Sequence, residues 1–169
     1  MTTITGAIAS KLLRAVISDY NFWGESESDS PLSIKRTKSV LDEKKILSLD
    51  ATARRKAEQT EGYKPPTRTV VTKKLHEVFL PLVKNSLEQL EGKSASIGIA
   101  EDQIKVETIQ STAESLEYYV QLYSVFNQLD EPTAYYVEDS AGDPYTGLFI
   151  TGKSSDGETV FAQSLLIQT

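Results

Sequence analysis

The sequence predicts an α+β fold, an α/β/α sandwich with a mostly antiparallel central sheet. Three observations carry that expectation. The 169 residues amount to about one domain, so residues 1–169 are expected to form a single unit with one sizeable core. Two long segments repeat apolar residues at helical spacing. The last forty residues instead show three aromatic and β-branched runs divided by turn signals. In the last of these, Phe161, Leu165 and Ile167 alternate with Val160, Ala162 and Leu166, so both sides are apolar. A strand covered on both faces lies inside its sheet, with helices above and below.

The first element is expected at residues 3–20, where Ile4, Ile8, Leu12, Val16 and Tyr20 recur every four residues and Ala7, Leu13 and Ile17 widen the stripe; that stripe is expected to face the core. Residues 24–31 are polar without periodicity and read as a loop, and Leu32 to Lys38 as a short strand. A short helix is expected near 48–59 and a loop through Pro65 and Pro66. From Thr72 the pattern turns helical through Leu75, Phe79, Leu82, Val83, Leu87 and Leu90, with Pro81 expected to kink or split the helix and Gly92 to stop it. A further packed helix is expected over 101–128, on Ile109, Ala113, Leu116, Val120, Tyr123 and Asn127. Runs at 134–138, 145–151 and 159–167 should form an antiparallel meander, with Asp156-Gly157 in a type I′ hairpin turn.

Composition narrows the chemistry. The 39% hydrophobic and 25% charged residues are those of an ordinary soluble globular chain. With no Cys, a disulfide framework, a thiolate metal site and a catalytic thiol are excluded, and the single His76 makes any Ser-His-Asp triad depend on one residue. No signal peptide or membrane anchor is read at the N-terminus, so the cytoplasm is the expected compartment. The net charge of −6 is unevenly spread: residues 1–100 carry 16 Lys plus Arg against 12 Asp plus Glu, residues 101–169 only 2 against 12. An acidic surface of that kind repels nucleic acid and draws a basic partner.

Gly147 to Ser154 matches the phosphate-binding pattern G-x-x-x-x-G-K-[ST] letter for letter. That loop works by opening a helix whose first amides hold phosphate, whereas here the intervening residues are strand-like and a hairpin follows, so an exposed Lys at a strand end is expected instead. His76 is read as a half-buried helix residue, Arg54-Arg55-Lys56 as a solvated helix face more than a phosphate contact, and Tyr118, Tyr119 and Tyr123 as packing residues. Glu25, Glu27 and Asp29, interleaved with serines, suit either solubility or paired contacts to a partner's arginines. A strand running to Ile167 would hold Gln168 and Thr169 at a rigid end, where the terminal carboxylate is a good hard-cation ligand.

The stretch Phe22-Trp23-Gly24-Glu25-Ser26-Glu27 with Pro31 behind the first helix, the helix at 72–91, and the ending Ile150 to Gly157 followed by a strand to Leu165-Leu166-Ile167-Gln168-Thr169 resemble the nuclease A inhibitor family. Residues 93–132 have no evident counterpart there, and the basic stretch 35–74 fits loosely. The resemblance implies a small acidic, non-enzymatic inhibitor of a basic, Mg-dependent, sugar-nonspecific endonuclease, with no cofactor of its own and no direct contact to nucleic acid or membrane. It implies partner contacts at Glu25, Glu27, Gln168, Thr169 and Trp23, with the Thr169 carboxylate approaching the partner's Mg²⁺ in the complex. Gly24 stands where the family has a small polar residue and Gln168 replaces an acid, departures that bear on inhibitory strength. Truncating Glu25 is expected to weaken binding while leaving stability nearly unchanged. The alternatives are an interaction or scaffold module of the same fold without inhibition, and a nucleotide-binding enzyme built on Gly152-Lys153-Ser154.

Overall fold

Alternating apolar residues and short turns at the end of the chain build the core of the sheet: β3 (Asp130–Asp139), β4 (Tyr145–Lys153) and β5 (Thr159–Ile167) pair in sequence as an antiparallel meander. The computed structural model describes residues 1–96, 106–140 and 142–168. Ahead of the meander come α1 (Gly6–Asp19), β1 (Ser33–Thr37), α2 (Glu43–Glu58), β2 (Arg68–Lys74), α3 (Leu75–Ser96) and α4 (Val106–Asn127). The strand order is β1-β5-β4-β3-β2 and every neighbouring pair is antiparallel. The fold is α+β.

The period of two sorts the sheet residues between two cores. Ala134, Tyr136, Leu148, Ile150, Val160, Ala162 and Leu166 pack with α1, α3 and α4. Val137, Phe149 and Phe161 pack with Leu41 and with Ile46 of α2 on the other face. β5 is paired on both edges and buried through most of its length, as its two apolar sides imply.

Several boundaries and faces differ from the sequence reading. In α1 the buried hydrophobic residues are Ala9, Leu13 and Val16, the last two from the expected stripe, while Ile8 and Leu12 of that stripe are exposed, so a strict every-fourth-residue spacing drifts toward the neighbouring face. The same rotation occurs in α4, where Tyr118, Tyr119, Leu122, Val125 and Phe126 are buried and Val120 is exposed; the expected first residues 101–105 of that helix lie outside the described residues. The second helix starts at Glu43, five residues earlier than expected, because Asp42 caps it by accepting from Lys45 N at 2.8 Å. Pro81 lies inside an unsplit α3, and the helix runs past Gly92 to Ser96.

Strand β2 was not read from the sequence. Its Thr69 to Thr72 core is β-branched, but Arg68, Lys73 and Lys74 on an edge strand gave the segment the look of a basic loop. The β4–β5 turn is not type I′: of its residues only Gly157 has a positive φ (79°), and Gly157 N donates to Ser154 O at 3.2 Å. A left-handed residue closing a four-residue turn is the three-residue hairpin solution. Among the described residues, no helix is long and apolar enough to cross a membrane.

Candidate functional site

The acidic loop after α1 folds onto the end of β5. At its base Asn21 Nδ2 donates to Leu32 O at 3.0 Å and Leu32 N to Asn21 Oδ1 at 2.8 Å, which pins the two ends of the loop together. Trp23 N donates to Asp29 O at 3.0 Å, and Ser26 N to Trp23 O at 3.1 Å. Ser30, at φ 40°, donates through its hydroxyl to Leu165 O at 2.8 Å and accepts at its carbonyl from Ser164 Oγ at 2.9 Å. Glu27 N donates to Ile167 O at 2.9 Å, and Ile167 N to Ser26 Oγ at 2.9 Å. Gln168 Nε2 reaches Glu25 O at 3.1 Å. Ser26, between the carboxylates, and Ser30, just after them, thus have a structural reason: they supply the hydrogen bonds that tie loop to strand.

The Glu25 carboxylate is held from beneath. Its Oε1 accepts from Trp23 Nε1 at 3.0 Å and from Tyr136 Oη at 2.7 Å. Trp23 is 1% exposed, edge-on to the rings of Phe79 and Tyr119 at 5.8 and 5.5 Å between centroids. Tyr119 Oη in turn accepts from Gly24 N at 2.8 Å. A Cβ on Gly24 would sit 2.7 Å from that oxygen, so the glycine is required by the close approach of the tyrosine. Burial pushes the Tyr119 hydroxyl up to about 12, and burial with the Glu25 bond keeps Tyr136 protonated still further.

Glu25, Glu27 and Gln168 therefore meet at one edge, with Glu25 and Gln168 exposed and joined by a hydrogen bond. Trp23, expected among the contact residues, is instead buried below them and acts on Glu25; a side chain with 1% exposure has no surface to offer a partner. Thr169 lies outside the described residues. Sequence reasoning missed Tyr136, Tyr119, Ser26 and Ser30. Tyr136 is 111 residues from Glu25, and no local pattern signals such a pair.

The remaining motifs resolve differently. Residues 147–153 of the phosphate-like pattern are strand, and a hairpin, not a helix, follows. Its glycines answer to packing: a Cβ on Gly147 would collide with Asp50 Oδ1, and one on Gly152 would lie 2.7 Å from Leu129. Lys153 is exposed and paired with Glu131 at 2.6 Å. Arg54, read as part of a solvated face, is fully buried. It donates to Asp50 at 2.8 Å, Asp139 at 2.9 Å, Asp143 at 3.0 Å and Val137 O at 2.9 Å. Arg68 adds a bond to Asp50 at 2.7 Å, yet burial outweighs both guanidiniums and raises the Asp50 carboxyl above its ordinary value. His76 is exposed on α3, not half-buried, beside Leu80, Val83 and Tyr123.

Compared with protein-family models and with curated proteins, the chain matches none.

Proposed function

We propose that the protein is a non-enzymatic inhibitor of a Mg-dependent, sugar-nonspecific endonuclease, acting in the cytoplasm through the edge formed by Glu25, Glu27 and the chain end at Gln168 and Thr169. One observation carries the reading: Glu25, on a loop bonded along the last residues of β5, has its carboxylate fixed by two buried donors while the residue itself stays exposed. A nuclease cleft must be basic and metal-loaded to handle phosphodiesters, and a rigid carboxylate mimics the charge of that substrate without offering a bond to cut. The Thr169 carboxylate, next in chain to Gln168, is the group proposed to approach the partner's Mg²⁺.

Titrating the protein into an assay of a Mg-dependent nonspecific endonuclease is expected to suppress cleavage stoichiometrically. Extending the chain by a few residues past Thr169 should weaken that effect. Unchanged cleavage at protein excess would remove the proposal. A second reading, an interaction module without inhibition, is favoured by the apolar groove of about 320 Å³ between α3 and α4, lined by Phe79, Leu80, Val83, Val120 and Tyr123. It predicts no effect on any metal-dependent nuclease.

A further inference from the structure

We infer that Trp23 and Tyr136 are positioning residues that make Glu25 a one-oxygen acceptor, with Oε1 locked inward and Oε2 offered to a single cationic group of the partner, met end-on. For the identity of the partner this rests on the nuclease reading; the geometry does not. Both donors to the carboxylate converge on Oε1, at 3.0 Å from the indole and 2.7 Å from the phenol. Among the described residues nothing bonds Oε2. An oxygen already accepting two hydrogen bonds has little capacity left, so the fork pairing of a guanidinium across both oxygens is disfavoured and one N–H group at Oε2 is favoured.

The donors are themselves fixed. Trp23 is 1% and Tyr136 5% exposed, each packed in the core shared by α1, α3 and α4. Lys73 of the edge strand places its ammonium 4.9 Å from the centre of the Tyr136 ring. A cation on the ring face draws its electrons and makes the hydroxyl a stronger donor toward Glu25. The chain Lys73, Tyr136, Glu25, Trp23 thus removes the rotamer freedom that a surface glutamate would otherwise lose on binding.

Two variants test this through the only tryptophan in the chain. Glu25→Asp keeps the charge but withdraws the carboxylate by one methylene from both donors. It is expected to shift the Trp23 indole N–H resonance, leave the amides of α2 in place, and weaken inhibition roughly tenfold, as loss of a charge-assisted hydrogen bond does. Tyr136→Phe is expected to shift the same resonance and weaken inhibition to a similar degree. An indole resonance unmoved by Glu25→Asp, or full inhibition by Glu25→Asp with a shifted resonance, would overturn the inference. If the wild-type protein fails to inhibit the nuclease, the functional reading falls alone, and the indole resonance still decides whether Glu25 is held as described.

Discussion

The two faces of the sheet handle charge in opposite ways. On the α2 face the charges of Arg54, Asp50, Asp139 and Asp143 are turned on one another and sealed, with side-chain exposures of 0 to 8%. On the face covered by α1, α3 and α4, neutral donors hold one oxygen of Glu25 while the residue stays at the surface. A run of charged residues therefore says little by itself about function. On each face a carboxylate oxygen is left unbonded among the described residues, so what separates framework from candidate site is where it lies: Asp50 Oδ1 is shut inside the molecule, whereas Glu25 stands at the surface.

The sharpest way to break this contrast is to open the sealed cluster. Arg54→Met would take the shared guanidinium away from three buried carboxylates, with Arg68 still on Asp50 and Tyr63 still on Asp143, and loss of one partner from such a cluster costs about 3–5 kcal/mol. For a chain of this size that is a fall in melting temperature of roughly 10–15 °C by calorimetry. A fall of only a degree or two would mean that water reaches the cluster. Glu25→Gln is the matching change on the other face. The amide oxygen can still accept from Trp23 and Tyr136, so stability should hold within about 1 kcal/mol, while a lost charged contact should weaken inhibition about a hundredfold. Glu25→Ala is less clean than the sequence suggested, because it would leave the buried Tyr136 hydroxyl without its acceptor.

A smaller effect comes from Gly147→Ala, which drives a methyl against Asp50 and Val137 and should cost about 1–3 kcal/mol, read from a urea midpoint. Lys153→Ala, in the same phosphate-like pattern, should leave the midpoint in place, since its pairing with Glu131 is at the surface. A large loss at Lys153 and none at Gly147 would reverse the packing account of that pattern.

Alkaline pH gives the gentlest test. Tyr119, raised by burial, and Tyr145, raised mainly by its bond to Glu58, ionise at about 12 in the folded protein, against 10.0 for an ordinary tyrosine. The folded state holds their protons more tightly, so their contribution is fully present below pH 10 and is lost as pH rises toward about 12. The urea midpoint should be level from pH 7 to 9 and decline above about 10, and Tyr119→Phe should flatten the decline. A midpoint unchanged at pH 12 would show that the fold does not hold these two hydroxyls above the ordinary tyrosine value.

How much of this was legible in the chain follows from the distance over which each signal acts. The meander was readable because alternation and turn residues are local: 145–151 and 159–167 needed only their own letters. The faces of α1 and α4 were placed only in part because a 3.6-residue period drifts off any strict four-residue stripe: Leu13 and Val16 of the expected stripe are buried, but Ile8 and Leu12 are exposed. Arg54 looked like a surface residue since three of its four partners, Val137, Asp139 and Asp143, lie 83, 85 and 89 residues away. At the site, the carboxylate loop and its place near the chain end could be named from sequence, but the phenol and indole that aim Glu25 could not, because β3 and the loop meet only in the fold.

The most direct measurement is the inhibition of a Mg-dependent nonspecific endonuclease by wild-type protein and by Glu25→Gln at matched thermal stability. The account predicts stoichiometric suppression by the wild type and about a hundredfold weaker suppression by the variant. Equal potency of the two folded proteins, or no suppression by the wild type, would contradict it.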